Sequence, residues 1–294
     1  MKFLVLGATG TVGSNVVREL LARRQQVRAL SRNPEKARSL GPNVEAVKGD
    51  LLEPTTLSTL YDGVDGAFVL NPVSQTEANE GLMAVSAART AGAKRIVYMS
   101  VQQVDRAPHL PHFGSKLGVE AAVKASGAAW TILRPSNFFQ NDYWYRDALL
   151  QYGVYPQPLG DVGVSRVDVR DIAELAAIAL TQAGHEGRTY EVVGPRALTG
   201  AQVADLWSGA LGRKVAYAGD DLDAWEKQSL QYLPAWMVYD FKLMYRHFQE
   251  KGLRGSDADV AAVTQALGHP PRRFEDFAAE IAKAWAEEGA KAAR

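Results

Sequence analysis

Three absences bound what this chain of 294 residues can be. It contains no cysteine, which excludes disulfide bonds, thiolate catalysis and cysteine-based metal sites, and we predict no metal centre. Neither sign of charge is in excess, because Lys plus Arg equals Asp plus Glu at 33 each, so the composition indicates no nucleic-acid or membrane surface. No apolar run approaches the roughly 20 residues that a membrane span needs. We therefore expect a globular, cytoplasmic protein.

The start of the chain carries its strongest motif. Residues 2–6 are a short apolar run typical of a strand, residues 7–13 read GATGTVG, and Val16, Val17 and Leu20 then recur at helical spacing. A strand, a glycine turn and a helix in this order form the cradle for a dinucleotide pyrophosphate. Glycine permits the sharp turn and the close approach of the phosphates, and the helix N-terminus offers free N–H groups to their charge. The segment therefore predicts a dinucleotide site.

The glycine spacing narrows the family. The glycines stand at positions 7, 10 and 13, a GxxGxxG pattern that differs from the commoner GxGxxG. This turn resembles that of the extended and atypical short-chain dehydrogenase/reductase superfamily. Within it the chain looks most like the NmrA-like branch, which includes isoflavone-reductase-type enzymes, small quinone oxidoreductases and NADP-sensing regulators. The cofactor contacts expected in the turn are Gly7, Thr9, Gly10, Thr11, Val12 and Gly13.

Strand-like and helix-like segments alternate through the first half of the chain. Strands are expected at residues 2–6, 26–30, 44–47, 66–70, 95–99 and 130–133, with helices at 34–40, 54–61, 76–91 and 114–125. This alternation predicts an α/β fold, a doubly wound Rossmann sheet of parallel strands with helices on both faces. Residues 1–134 form the predicted cofactor-binding domain. Residues 135–294 form a smaller, mostly helical substrate-side subdomain interleaved with the sheet. Short strands are expected there near 165–167, 189–192 and 215–217.

The end of the second strand indicates which nicotinamide cofactor is bound. NAD-specific sites place a carboxylate there for the ribose 2′-hydroxyl, but this chain reads Leu30-Ser31-Arg32-Asn33 with no acid. The guanidinium of Arg32 is a charged, planar donor suited to a 2′-phosphate, and Ser31 can add a hydrogen bond. The alternative is that Arg32 is a solvated charge where a strand meets a helix. We predict NADP(H), which the resemblance of this stretch to NADP-binding NmrA-like proteins also implies.

Three further segments match cofactor contacts of the NmrA-like branch. Residues 49–51 (GDL) follow the third strand, where the family surrounds the adenine, and residues 71–72 follow the fourth. Residues 133–141 (LRPSNFFQN) resemble the family segment that lies along the nicotinamide. Ordinary turn chemistry is the alternative for the first two, since Gly-Asp and Asn-Pro are common turn pairs. With the serine that ends the fifth strand, the predicted contacts are Asp50, Leu51, Asn71, Pro72, Ser100, Pro135, Asn137 and Phe138.

The proton donor is open. Orthodox short-chain dehydrogenases carry Tyr-x-x-x-Lys on one helix face, which lets the ammonium depress the phenol's pKa and bind the ribose. Here Lys116 is present but His112 occupies the tyrosine position. Lys116 can act as the acid or orient a water, as the resemblance to isoflavone-reductase-type enzymes implies. His112 can instead donate the proton, or solvent can supply it. The structural alternatives are a ribose anchor for Lys116 and a solvent-facing helix start for His112.

Aromatic residues predict the substrate side. Residues 225–248 are dense in large aromatics and methionine, and residues 143–145 read YWY. The helical spacing of such stripes also fits core packing. A flat, apolar ligand suits these walls better than a sugar or a small acid. The predicted substrate-pocket residues are Gln102, Tyr143, Tyr145, Trp225 and Trp236.

Two functions from different classes follow. The first is an NADPH-dependent reductase of a flat, apolar acceptor such as a quinone, dye, enone or related aromatic, as a monomer or homodimer. The second is a non-catalytic NADP(H)-sensing regulator that acts through a protein partner, which the missing tyrosine favours. An isomerase or epimerase of nucleotide sugars is a weaker third, because such relatives normally keep that tyrosine.

Overall fold

Short apolar runs build one parallel sheet in this chain, whose computed structural model describes residues 1–57 and 59–292. The strands are β1 Lys2–Val5, β2 Gln26–Ser31, β3 Val44–Lys48, β4 Gly66–Val69, β5 Arg95–Met99, β6 Ala129–Pro135, β7 Val154–Tyr155, β8 Arg188–Val192 and β9 Ala216–Tyr217. The helices are α1 Thr11–Ala22, α2 Pro34–Arg38, α3 Glu77–Thr90, α4 Pro111–Lys124, α5 Val169–Thr181, α6 Gly200–Leu211, α7 Leu222–Ser229, α8 Ala235–Lys251, α9 Asp257–Leu267 and α10 Phe274–Ala292.

The chain divides into two compact units, each with its own interior. The first comprises Met1–Pro135, Val169–Val192 and Gln265–Gly268, and the second comprises Ser136–Asp168, Val193–Thr264 and the residues from His269 onward. In the first unit seven strands pair in parallel in the order β3-β2-β1-β4-β5-β6-β8. The predicted doubly wound Rossmann fold with a helical C-terminal part is confirmed.

Helices of the first unit pack in pairs, α1 with α5 and α3 with α4. The α3–α4 side is fully apolar where it meets the sheet, since Ala84 and Val85 of α3 and Val119 of α4 are buried together with Ile96 and Ile132 of the strands. Such burial contributes about 25 cal/mol for each Å² removed from water, which makes this layer the main source of stability for the helix starts above the strands. It positions the first turns of α3 and α4.

The second unit is held by aromatic packing. Trp207 on α6 stacks on Trp285 of α10 with ring centroids 5.3 Å apart, and Phe274 and Phe277 meet it edge-on. A two-stranded parallel sheet joins β7 to β9. No helix within the described ranges is long and apolar enough to cross a membrane.

Three local predictions differ from the structure. The helix expected over residues 54–61 is a single 3₁₀ turn, Pro54–Thr56, followed by further turns, and residue 58 of that segment lies outside the described residues. The strand expected at 165–167 is replaced by isolated bridges at Val164 and Val167. The two residues of β7 were not predicted, because a strand this short leaves no periodicity to detect.

Candidate functional site

The predicted site residues of the first unit gather at one edge of the sheet. Parallel strands end on the same edge, and the predicted residues follow β1 through β5 or end β2 and β6. The order of the strands reverses between β1 and β4, and open α/β sheets bind ligands in the crevice at that point.

The glycine turn after β1 leaves the start of α1 free of side chains. Gly7 adopts φ +64°, a left-handed conformation that favours glycine. Gly10 caps α1 without a side chain to accept from the first N–H groups of the helix. Those N–H groups therefore point out of the helix end, where the positive end of the dipole favours an anion. Thr9 and Thr11 are exposed beside them, and Val12 is buried.

Gly13 keeps α1 close to β1. A Cβ at this position would lie 2.1 Å from the carbonyl oxygen of Gly7 and 2.9 Å from the Cα of Ala8. Both neighbours are backbone atoms, so the helix itself would have to move. Glycine at 13 is thus required by packing.

Gly13→Ala should therefore lower the free energy of unfolding by about 1–3 kcal/mol, the usual cost of overpacking. The matched control is Gly209→Ala on α6, where a Cβ meets nothing within 4 Å and the position is exposed. There the change should raise stability by about 0.5–1 kcal/mol, because alanine is the better helix former. Urea denaturation measures both, and equal stability of the Gly13→Ala and unsubstituted proteins would contradict this role.

The loop after β2 is shaped by its own polar side chains. Ser31 Oγ donates to the carbonyl oxygen of Asn33 at 2.8 Å and accepts from its N–H at 3.1 Å, and Asn33 caps α2. Arg32 is exposed and makes no hydrogen bond or ion pair with any residue that the structure describes. The guanidinium is therefore available to a ligand.

The loops after β3 and β4 differ in how their polar groups are used. Thr56 Oγ donates to the Asp50 carbonyl at 2.8 Å, while Leu51 is buried beside it. Asn71 is 3% exposed, and neither its amide nitrogen nor its oxygen has a partner among the described residues. Buried polar groups are nearly always paired, so the Asn71 amide suits the polar atoms of a bound molecule. Pro72 is exposed.

Pairing of β5 with β6 continues beyond Met99. The N–H of Ser100 donates to the carbonyl oxygen of Leu133 at 2.7 Å, and that of Gln102 donates to Pro135 at 3.0 Å. Both side chains are buried, and Gln102 Oε1 has no partner among the described residues. Gln103 follows with φ +56°, a strained conformation for a non-glycine residue.

Charged side chains brace this strained segment. Arg134 donates to Glu120 from Nε and Nη2, each at 2.9 Å, and to Glu191 at 3.1 Å. Glu191 in turn accepts from the N–H of Gln103 at 3.1 Å. Burial raises the pKa of the Glu120 carboxyl, but the hydrogen bonds from Arg134 and Ser100 outweigh burial and lower it. The bracket keeps the end of β5 rigid.

A buried ion pair occupies the start of α4. Lys116 Nζ contacts Glu77 Oε1, and their side chains are only 6% and 2% exposed. Glu77 also accepts from Ser115 Oγ at 3.3 Å. Burial raises the pKa of the Glu77 carboxyl, although the Lys116 ammonium and His112 oppose the shift. Lys116 is therefore held in place by the first residue of α3, and His112 is buried nearby on α4 rather than facing solvent.

Glu77 was missed in the sequence. An acid in the first turn of a helix is usual there, because it complements the helix dipole. It lies 39 residues from Lys116, and only the packing of α3 on α4 joins them.

Two predicted cofactor residues lie in the second unit. The carbonyl oxygen of Asn137 accepts from the N–H of Val167 at 2.9 Å, and Asn137 Oδ1 accepts from Arg166 Nε at 2.9 Å. The carbonyl of Phe138 accepts from Arg166 Nη2 at 2.7 Å. Arg166 thus fixes the backbone of this segment.

The second unit contains a cavity of about 420 Å³, called here the aromatic cavity. Its described lining residues are Trp144, Tyr145, Ala148, Tyr152, Pro156, Trp225, Gln228, Ser229, Tyr232, Leu233, Phe241 and Tyr245. Trp225 meets Tyr245 edge-on with centroids 5.0 Å apart. Lys242 on α8 pairs with Asp223 and Glu226 of α7 at 2.7 and 2.5 Å, which holds the two helical walls together.

The predicted pocket residues fall in three places. Tyr145 and Trp225 line the aromatic cavity, whereas Tyr143 and Trp236 are not among its described lining residues. Tyr143 packs on Phe277 with centroids 5.9 Å apart, as the core-packing alternative expects. Gln102 belongs to the first unit.

Comparison with known proteins gives consistent matches over most of the chain. A model of the NmrA-like family matches residues 1–278. The NAD(P)H azoreductase of Xenophilus azovorans is 38% identical over 287 residues, covering 96% of this chain and 98% of that protein. The (4-alkanoyl-5-oxo-2,5-dihydrofuran-3-yl)methyl phosphate reductase of Streptomyces griseus subsp. griseus is 35% identical over 288 residues, covering 97% and 99%. Among solved structures, the NADPH-dependent quinone oxidoreductase QOR2 of Escherichia coli, complexed with NADPH, aligns with a TM-score of 0.85 at 25% identity over 95% of this chain and 99% of that chain.

Proposed function

Because the chain belongs to the NmrA-like family, we propose that it is an NADPH-dependent oxidoreductase that transfers hydride to a flat, apolar, aromatic acceptor. Relatives named as an NAD(P)H azoreductase, a quinone oxidoreductase and a reductase of an oxo-dihydrofuran support the reaction class. The observation that carries the proposal is the uncapped start of α1, next in the sheet to the buried and unpaired amide of Asn71.

The residues of the first unit suit NADPH along its whole length. The N–H groups at the start of α1 would hold the pyrophosphate, Ser31 and Arg32 the 2′-phosphate, and Asp50 and Leu51 the adenine side. When bound, NADPH supplies the hydride. The proposed contacts nearer the nicotinamide are Asn71, Pro72, Ser100, Lys116 and Pro135, and Asn137 and Phe138 stay predictions from the family resemblance.

Arg32→Ala should weaken NADPH binding about 10- to 100-fold and leave NADH binding within about twofold. A hydrogen bond to a charged group is worth about 1.5–3 kcal/mol, and only NADPH carries the 2′-phosphate. Arg38→Ala, which removes an exposed arginine of α2, is the control and should change neither affinity. Titration of both cofactors gives the dissociation constants. An equal loss for the two would mean that Arg32 does not read the phosphate.

Lys116 has two roles in the proposal. It anchors the cofactor ribose, and it supplies the proton that the reduced acceptor needs, with Glu77 holding its ammonium in place. Pairing with a carboxylate favours the charged form of the lysine, which is the form that can donate. His112, one helical turn earlier on α4, is the alternative donor, and solvent is the third source.

The aromatic cavity supports the acceptor class. Eight of its twelve described lining residues are large apolar or aromatic side chains, counting Trp144, Tyr145, Tyr152, Trp225, Tyr232, Leu233, Phe241 and Tyr245. Ligand pockets of roughly 300–1,000 Å³ with such walls take drug-sized apolar molecules. A quinone or an azo dye fits this description, and a nucleotide sugar does not.

The proposal is tested by following NADPH absorbance with and without an acceptor. Oxidation should require an added quinone, azo dye or cyclic enone. Tight NADP⁺ binding with no turnover across that panel would reject the enzyme. The sensor would then be favoured, which the histidine in the usual tyrosine position already permits.

A further inference from the structure

The aromatic cavity has one buried polar end. Tyr245 is 4% exposed, whereas Tyr152 and Tyr232 are 74% and 67% exposed. An exposed hydroxyl is satisfied by water, so it gives a ligand little net free energy. A buried hydroxyl has no such alternative and gives a directional bond. The end formed by Tyr145 and Tyr245 is therefore the place where a ligand's polar atom would be recognised.

A chain of hydrogen bonds fixes the direction of the Tyr245 hydroxyl. Arg166 Nη1 donates to the Tyr155 oxygen at 3.2 Å, and Tyr155 donates to Gln157 Oε1 at 2.7 Å. Gln157 Nε2 then donates to the Tyr245 oxygen at 3.2 Å. An amide nitrogen can only donate, so the Tyr245 oxygen accepts at this contact. Its own proton points away from Gln157.

The two phenols at this end hold one proton more than their mutual hydrogen bond uses. Tyr145 and Tyr245 hydrogen-bond each other, which consumes one of their two O–H donors. No hydrogen bond among the described residues uses the other. Burial raises the pKa of both phenols, so both keep their protons at neutral pH.

We propose that the aromatic cavity binds the planar hydride acceptor, and that the Tyr145–Tyr245 pair donates a hydrogen bond to its quinone carbonyl or azo nitrogen. The identity of the ligand as a hydride acceptor rests on the proposed reductase function. The cavity itself supplies the aromatic walls and the single buried donor. Planar molecules that lack an acceptor atom are bound by the walls alone.

Equilibrium dialysis of 1,4-naphthoquinone and naphthalene, without cofactor, tests the donor directly. Because the chain has no cysteine, the quinone forms no thiol adducts with it. Tyr245→Phe and Tyr145→Phe should each weaken naphthoquinone about fivefold to tenfold, the value of one hydrogen bond. Both should leave naphthalene within about twofold. Tyr145→Phe keeps the oxygen that Gln157 needs, so it covers the case in which Tyr245→Phe fails to fold.

Two controls place the ligand. Tyr239→Phe makes the same change on the same helix at an exposed position outside the described lining, and should alter neither affinity. Trp225→Leu should weaken both ligands. Unchanged affinities in Trp225→Leu, or an equal loss of both ligands in the two phenylalanine variants, would overturn the proposal.

Turnover separates this inference from the proposed function. In the NADPH assay, Tyr145→Phe should raise KM for naphthoquinone about fivefold to tenfold, with kcat nearly unchanged. If naphthoquinone binds as expected but never oxidises NADPH, the reductase proposal fails while the hydrogen bond stands. If turnover occurs with a KM that Trp225→Leu and Tyr145→Phe do not change, the acceptor reacts elsewhere and the cavity assignment fails.

Discussion

Lys116→Met should lower kcat for quinone reduction about 10²- to 10⁴-fold, the range that a positioned acid contributes. The methionine removes the ammonium that would protonate the reduced acceptor, while its apolar chain keeps most of the volume. A role as ribose anchor alone would instead raise the dissociation constant of NADPH and leave kcat nearly intact. Steady-state kinetics and NADPH titration, measured together, distinguish the two.

The buried partner requires a second variant. Lys116→Met leaves the Glu77 carboxyl buried without its cation, so a loss of activity could reflect a damaged fold. The double variant Glu77→Gln with Lys116→Met removes both charges and should restore stability without restoring kcat. Lys124→Met, at the exposed end of the same helix, should behave like the unsubstituted protein.

His112→Gln completes this set. A large loss of kcat in His112→Gln with little effect in Lys116→Met would make the histidine the donor. Turnover within a few fold of normal in both would leave solvent as the proton source.

Asp142→Asn should lower the free energy of unfolding by about 3–5 kcal/mol, because it leaves a fully buried guanidinium without its counter-charge. The Asp142 and Arg166 side chains are 0% exposed and lie 2.7 Å apart. Asp142 also accepts from Trp207 Nε1 at 2.8 Å, so the pair joins the aromatic core of the second unit. Urea denaturation at neutral pH gives the value.

An exposed pair of the same unit is the control. Glu288→Gln breaks the ion pair with Arg146, whose partners are 64% and 41% exposed, and should cost less than about 1 kcal/mol. Adding Arg166→Met to Asp142→Asn should recover part of the loss, since no uncompensated charge then remains. A loss as small as that of Glu288→Gln would show that the buried pair does not stabilise the unit.

The sheet could be predicted because its signals are local. Each strand of the Rossmann unit is a short apolar run, and the glycine turn stands between the first strand and its helix. Periodicity and turn chemistry are both readable within a window of about ten residues. The family resemblance added the cofactor, because its motifs are equally local.

The groups that complete the candidate site could not be predicted in this way. Glu77 reads as an ordinary first-turn acid until α3 packs on α4, and Tyr245 reads as one aromatic among many on α8. The hydrogen bond from Gln157 to Tyr245 joins residues 88 apart in sequence. Burial and partner choice are tertiary properties, which no local pattern encodes.

The two units treat their buried charges alike, and this has a consequence for ionic strength. Both the Glu77–Lys116 pair and the Asp142–Arg166 pair lie out of reach of mobile ions, so added salt screens them little. Arg32 is exposed, and its attraction for a phosphate is open to screening. Salt would therefore weaken the preference for NADPH over NADH before it affects proton donation or folding, which makes cofactor choice the step most sensitive to the surrounding electrolyte.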